Sequence, residues 1–153
     1  MTRLHEAHHA ATTHLPAPPA AVLLGDTVVR TADLVRLLTV DQVLCAEDLR
    51  HELPTLKVPR AALAQAVRML AEVMRTRHPG GSIEIRVPPF AAIQCGDPGE
   101  PRHTRGTPPN VVECQPLTFI RLCRGHDTFA AARHRNELTA SGTRADISAW
   151  LPL

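Results

Sequence analysis

The chain has 153 residues, 17 basic and 15 acidic, for a formal net charge of +2. That balance excludes the electrostatic footprint of a nucleic-acid or anionic-membrane binder, and 3% aromatic content with no tyrosine leaves no stacking platform for single strands. A hydrophobic fraction of 44% supports one packed domain with a small extension.

Residues 1–29 read as a flexible tail. Pro16, Pro18 and Pro19 break any helix there. His5, Glu6, His8 and His9 stand where a signal peptide needs its apolar run. No window approaches the ~18 apolar residues of a membrane span, so no stable membrane insertion is expected. The segment Val22 to Thr27 ends in turn chemistry at Gly25-Asp26. Thr31 is placed to cap a helix running to about Leu53, with apolar positions at Leu34, Leu37, Leu38, Val40, Leu44, Cys45, Leu49 and Leu53. Residues 30–57 are therefore expected to be a helical extension, ended by Pro54.

From about residue 58 the patterning strengthens. Leu63, Val67, Leu70 and Met74 form a helical stripe from Pro59 to Arg77, widened by Ala66 and Val73. His78-Pro79-Gly80-Gly81 stops that helix. Ser82 to Val87 alternates strictly, as a half-buried strand does. Phe90–Cys95 reads as a second strand and Asn110–Cys114 as a third. Pro116 opens a helix that ends at Gly125, and Asp127 is placed to cap a short one reaching His134. Glu137–Ala140 and Thr143–Ile147 flank Ser141-Gly142 as a hairpin. The order predicts an α+β fold over residues 58–153, with a five-stranded, mostly antiparallel sheet covered by helices. The apolar tail from Ala149 is expected to dock on the body.

Three runs carry a family resemblance: Val87-Pro88-Pro89-Phe90, then His103-Thr104-Arg105-Gly106-Thr107-Pro108-Pro109-Asn110, then Ser141-Gly142-Thr143-Arg144-Ala145-Asp146. In this order they resemble the bacterial branch of the sterol carrier protein family over roughly residues 58–153. Such proteins come mostly from actinobacteria. The arginine-for-lysine bias, with Lys57 the sole lysine, matches coding in a GC-rich genome. The resemblance implies a sheet-plus-helix fold whose seam holds an apolar ligand. At one turn it implies glycine where this chain has Asn136, a residue that tolerates the left-handed conformation.

Candidate functional residues follow. Phe90, Ile93, Val112, Phe119, Ile120 and Phe129 are expected to line an apolar ligand site. Arg102 and Arg105 either bind an anionic headgroup or brace the loop against Glu84, Glu113 or Asp146. His5, His8, His9 and His14 read as a solvated tail rather than a metal site, so no metal and no cofactor are expected. Cys45, Cys95, Cys114 and Cys123 have no Cys-x-x-Cys spacing and read as reduced, semi-buried thiols of a cytoplasmic protein. With no Gly-x-Ser-x-Gly elbow and no phosphate-binding loop, no catalytic residue is assigned; a Cys95 or Cys114 pairing with His103 is the remaining nucleophilic arrangement. The leading expectation is a non-enzymatic module binding an apolar or amphipathic small molecule such as a fatty acyl lipid. The alternative is an accessory or interaction domain, related to the C-terminal part of mycothiol-dependent maleylpyruvate isomerases and without its own catalysis, using the N-terminal helices to reach a protein partner.

Overall fold

The computed structural model describes residues 17–50, 52–97, 99 and 109–153. Two compact units divide the chain between Val35 and Arg36. In the first, β1 (Ala21–Leu24) and β2 (Thr27–Arg30) pair antiparallel around Gly25-Asp26, with Leu24 opposite Thr27. Gly25 takes φ 59, which suits a tight hairpin turn. Residues 21–30 are thus a hairpin where a tail was expected. The turn signal was in the sequence, but two four-residue strands are too short for periodicity to register.

α1 spans Thr31–Asp48. The Thr31 hydroxyl donates to the Pro19 carbonyl instead of capping the helix. The helix also ends earlier than Leu53. Its last turn holds Glu47 and Asp48 and no basic residue, which opposes the helix dipole. The chain continues only as isolated turns, such as Leu53 N–H to the Leu49 carbonyl at 2.8 Å.

In the second unit, α2 (Arg60–Arg77) lies almost where its stripe placed it. Ala66, Val67, Leu70 and Met74 are buried, while Leu63 and Val73 are half-buried. β3 (Pro79–Val87), β4 (Ala91–Cys95), β5 (Asn110–Cys114) and β6 (Leu138–Ser141) form one sheet in the order β4-β3-β5-β6. β3 and β5 run parallel, with Ile83 beside Asn110, and the other two pairings are antiparallel. Ile83, Ile85, Val87, Val112 and Cys114 face the core. Glu84, Arg86, Gln94, Glu113 and Thr139 alternate onto the opposite face, where Glu84 and Arg86 pair at 2.9 Å. α3 (Pro116–Cys123) and α4 (Phe129–His134) join β5 to β6. α2 packs on β3, β4 and α3, and α4 packs on β6.

Among the described residues the sheet has four strands where five were expected. Thr143–Ile147 has strand-like alternation, with Ala145 and Ile147 buried and Asp146 exposed, but it pairs with nothing in the sheet. Gly142 at φ 101 turns the chain away. The Arg144 N–H then goes to the Asn110 side-chain oxygen at 2.9 Å rather than to a ladder. The apolar positions therefore pack as a loop. At the other predicted turn Asn136 takes φ 58, the left-handed conformation expected of it. Thr128, not Asp127, caps α4, accepting the Ala131 N–H at 3.2 Å. Asp127 instead pairs with Arg135.

The tail does dock. Leu153 N–H donates to the Cys123 carbonyl at 2.9 Å. The Trp150 ring stacks on His78 at 4.4 Å, and its indole N–H reaches Asp97 at 3.1 Å. Asp97 lies just past β4, where Gly80 allows a close crossing: a Cβ at Gly80 would meet Gly96 Cα at 2.5 Å.

Val40, Val43 and Leu44 of α1 belong to the same core cluster as Met74, Phe119 and Trp150. The core thus reaches into the region read as an extension. Each such side chain contributes about 1.5–3 kcal/mol by burial. A chain truncated to start at Val58 is expected to unfold at markedly lower denaturant concentration than the full chain, with a broadened transition. Circular dichroism during urea titration reads this directly, and coincident midpoints would place α1 outside the cooperative unit.

Candidate functional site

The concavities of the second unit include two of unequal size. The smaller, about 190 Å³, sits where β5 passes into α3 beside β6, lined by Pro88, Glu113, Cys114, Gln115, Pro116, Asn136, Glu137, Leu138 and Thr139. Glu137 is already engaged there. It takes a forked contact from Arg135, Nε at 3.2 Å and Nη2 at 3.1 Å, and the Thr118 hydroxyl at 3.1 Å. The Arg135 guanidinium, more than any other group, holds the Glu137 carboxyl below the usual range, and the Thr118 hydrogen bond adds to this against the opposing cost of desolvation. A small hollow flanked by two glutamates does not suit an anionic or long apolar ligand.

The larger is a groove of about 520 Å³, lined by Arg36 of α1 and by Ala61, Ala64, Gln65, Arg68, Met69 and Glu72 of α2. Those six recur at alternating spacings of three and one, one flank of a helix beside its core stripe. Alanines and a methionine supply an apolar floor, and the arginines and Gln65 supply polar groups. Arg68 Nε donates to the Phe90 carbonyl at 3.4 Å, which ties the groove to the turn before β4. Arg60 lies over the Phe90 ring, 5.5 Å from its centre. At roughly 300–1,000 Å³, small-molecule sites match the groove and not the smaller hollow.

The residues singled out from sequence fall in different places. Val112, Phe119, Ile120 and Phe129 are buried in the core, and none of them lines either concavity. Ile93 is half-buried on β4 against that core. Phe90, also half-buried, is the one that adjoins the groove. Arg102 and Arg105 lie outside the described residues, as do His103 and the histidines at 5, 8, 9 and 14. Of the proposed braces, Glu84 pairs with Arg86, and Asp146 accepts the Ser148 N–H at 2.9 Å. Arg68 and Glu72 lie off the apolar stripe of α2, on the side an amphipathic helix turns to solvent, so the stripe does not point to them. Their neighbour on α1 is distant in sequence, so periodicity alone carries no sign of it.

All four cysteines are unpaired. Cys45 is exposed, which corrects the semi-buried reading, and the other three are buried. Burial pushes the Cys95 thiol up to about 11, and burial with the Glu113 charge pushes Cys114 up to about 12. Cys123 is raised too, first by burial and then by Cys114. These thiols stay protonated at neutral pH, the opposite of an activated nucleophile. Among the described residues no group of three or more His, Cys, Asp or Glu side chains could hold a metal ion, and no helix is long and apolar enough to cross a membrane.

Residues 59–153 match the model of the family described as bacterial SCP ortholog, the bacterial branch of the sterol carrier proteins. No curated protein matches the chain. The matched span is most of the chain, so the protein belongs to that bacterial sterol carrier family.

The depressed carboxyls give a pH expectation. Glu137 and Asp146 both titrate below their ordinary values of 4.5 and 3.8, the latter chiefly through the Ser148 N–H. A lowered folded-state value means the stabilisation is present above the unfolded value and is lost as pH falls through the folded one. Urea midpoints should therefore drop on acidification below those ordinary values. Glu137→Gln should be less stable than wild type near neutrality and converge with it in acid. A gap that persists unchanged in acid would assign the effect to packing.

Proposed function

We propose that this member of the bacterial sterol carrier family is a non-enzymatic binding module. Its ligand is amphipathic, an apolar chain with an anionic head such as a fatty acyl lipid, and it lies in the groove along α2. The groove carries this reading. From Ala61 to Glu72 it extends roughly 16 Å at the rise of an α-helix, a length suited to a medium acyl chain. Ala61, Ala64 and Met69 offer the chain an apolar bed, and Arg68 offers a carboxylate a charge-assisted hydrogen bond. The protonated buried thiols support a role without covalent chemistry. Four unpaired cysteines fit a reducing, cytoplasmic setting. A second reading, an accessory domain for a protein partner, is favoured by exposed apolar residues such as Leu38 of α1 and Leu49 just past it.

Native mass spectrometry of the purified chain separates the two, since a carrier retains a lipid adduct. Titration with a fluorescent fatty acid then locates the site. Ala61 is exposed, so Ala61→Trp fills the groove without touching the core. It should weaken probe binding by about tenfold or more while the melting temperature stays put, and Arg68→Gln should weaken it by a similar factor, the loss of one charge-assisted hydrogen bond. Wild-type affinity in Ala61→Trp would remove the groove from the account.

A further inference from the structure

The charges of the groove along α2 come in a fixed order. Ala61 and Ala64 line its first turn, and the charged residues of the helix follow, Arg68 and then Glu72 one turn beyond. Both are exposed. Residues four apart on a helix have Cβ atoms about 5–6 Å apart, close enough for an ion pair. Arg68 and Glu72 do not make one. The Arg68 Nε turns to the Phe90 carbonyl at 3.4 Å, and among the described residues the Glu72 carboxylate pairs with neither Arg68 nor Arg75. The turn before β4 thus draws the guanidinium aside. The groove keeps a cation and an anion next to each other, neither neutralised by the other.

This order penalises a ligand with an anion alone. An anion on Arg68 lies one helical turn, about 5.4 Å, from Glu72. That is inside the ~8 Å screening length of physiological salt, so the carboxylate repels it. A purely cationic head fares no better, because Arg36 lines the same groove and two guanidinium groups would oppose one carboxylate. We propose that the head of the ligand is zwitterionic, with its anionic group on Arg68 and an ammonium group on Glu72. The inference rests on the groove being the ligand site, and it adds to the anionic group the cation that Glu72 selects. An ammonium gives Glu72 a charge-assisted hydrogen bond and turns the repulsion into attraction. The residue order also sets the order within the ligand. A chain lying along Ala61 and Ala64 reaches Arg68 before Glu72, so the anion is inner and the ammonium outer. A phosphoethanolamine head has that order. A sulfobetaine has the reverse, and would set its ammonium against Arg68.

Competition against a fluorescent fatty acid on the full chain tests this, with three competitors that share a dodecyl chain, each below its critical micelle concentration. Dodecyl methyl phosphate carries the anion alone, dodecylphosphoethanolamine the anion and then the ammonium, and dodecyl sulfobetaine the ammonium and then the anion. The phosphoethanolamine ester should compete about tenfold better than the methyl ester, the worth of one charge-assisted hydrogen bond. The sulfobetaine should compete no better than the methyl ester. Glu72 is exposed, so Glu72→Gln should leave the melting temperature unchanged. It should abolish the preference for the phosphoethanolamine ester without weakening the methyl ester. Equal competition by the two phosphate esters in wild type overturns the zwitterionic head and leaves the carrier reading standing. A preference that survives Glu72→Gln overturns the assignment to Glu72, and a sulfobetaine as potent as the phosphoethanolamine ester overturns the order. A chain that binds neither the fatty acid nor any competitor overturns the carrier reading and this inference with it.

Discussion

The side chain of Asn110 is the joint on which the sheet end depends. It is 4% exposed, at the first position of β5, and its carboxamide works in both directions. Its nitrogen donates to the Ser82 carbonyl of β3 at 2.9 Å, and its oxygen accepts the Arg144 N–H at 2.9 Å. One residue thus fastens the parallel pairing of β3 with β5 and the loop that follows β6. Gly142 makes the arrangement possible, because a Cβ there would lie 2.5 Å from both the Asn110 oxygen and the Pro109 carbonyl. Pro109-Asn110 and the turn from Ser141 to Arg144 are therefore halves of one structural contact, and Asn110 needs no ligand to explain it.

A second constraint shapes the surface. The helices α2, α3 and α4 cover one face of the sheet, and the core between them closes around Phe119, Ile120 and Met74, each 1% exposed or less. A ligand is better accommodated outside that packed centre than within it, since protein interiors of this density leave little free volume. The groove on the flank of α2 is such a place. It borrows Arg36 from α1, so the helix that completes the core also completes the groove wall.

Long periodic segments were legible in the sequence. The stripe of α2, the alternation of β3 and the proline opening α3 each rest on a local rule, and the structure bears each out to within a few residues. The left-handed Asn136 was legible for the same reason. What failed depended on distant partners. Thr143–Ile147 alternates like a strand, yet Asn110, more than thirty residues away, captures its backbone. The apolar residues of α1 read as one set, but only the fold divides them into Val40, Val43 and Leu44 inside and Leu38 and Cys45 outside. Val112, Phe119, Ile120 and Phe129 lie in the core and line neither concavity, because large apolar side chains on strands and short helices signal burial, and burial is equally what a core requires.

The most direct test of the account is the stability of Asn110→Ala, read together with amide exchange at Arg144. Removal of the carboxamide takes one hydrogen bond from the Ser82 carbonyl and one from the Arg144 N–H, at about 0.5–1.5 kcal/mol for each. The account predicts a clear fall in the urea midpoint and rapid exchange of the Arg144 amide, with α2 still protected. A variant that unfolds at the wild-type midpoint and keeps its Arg144 amide protected would contradict the claim that these motifs form a structural clamp.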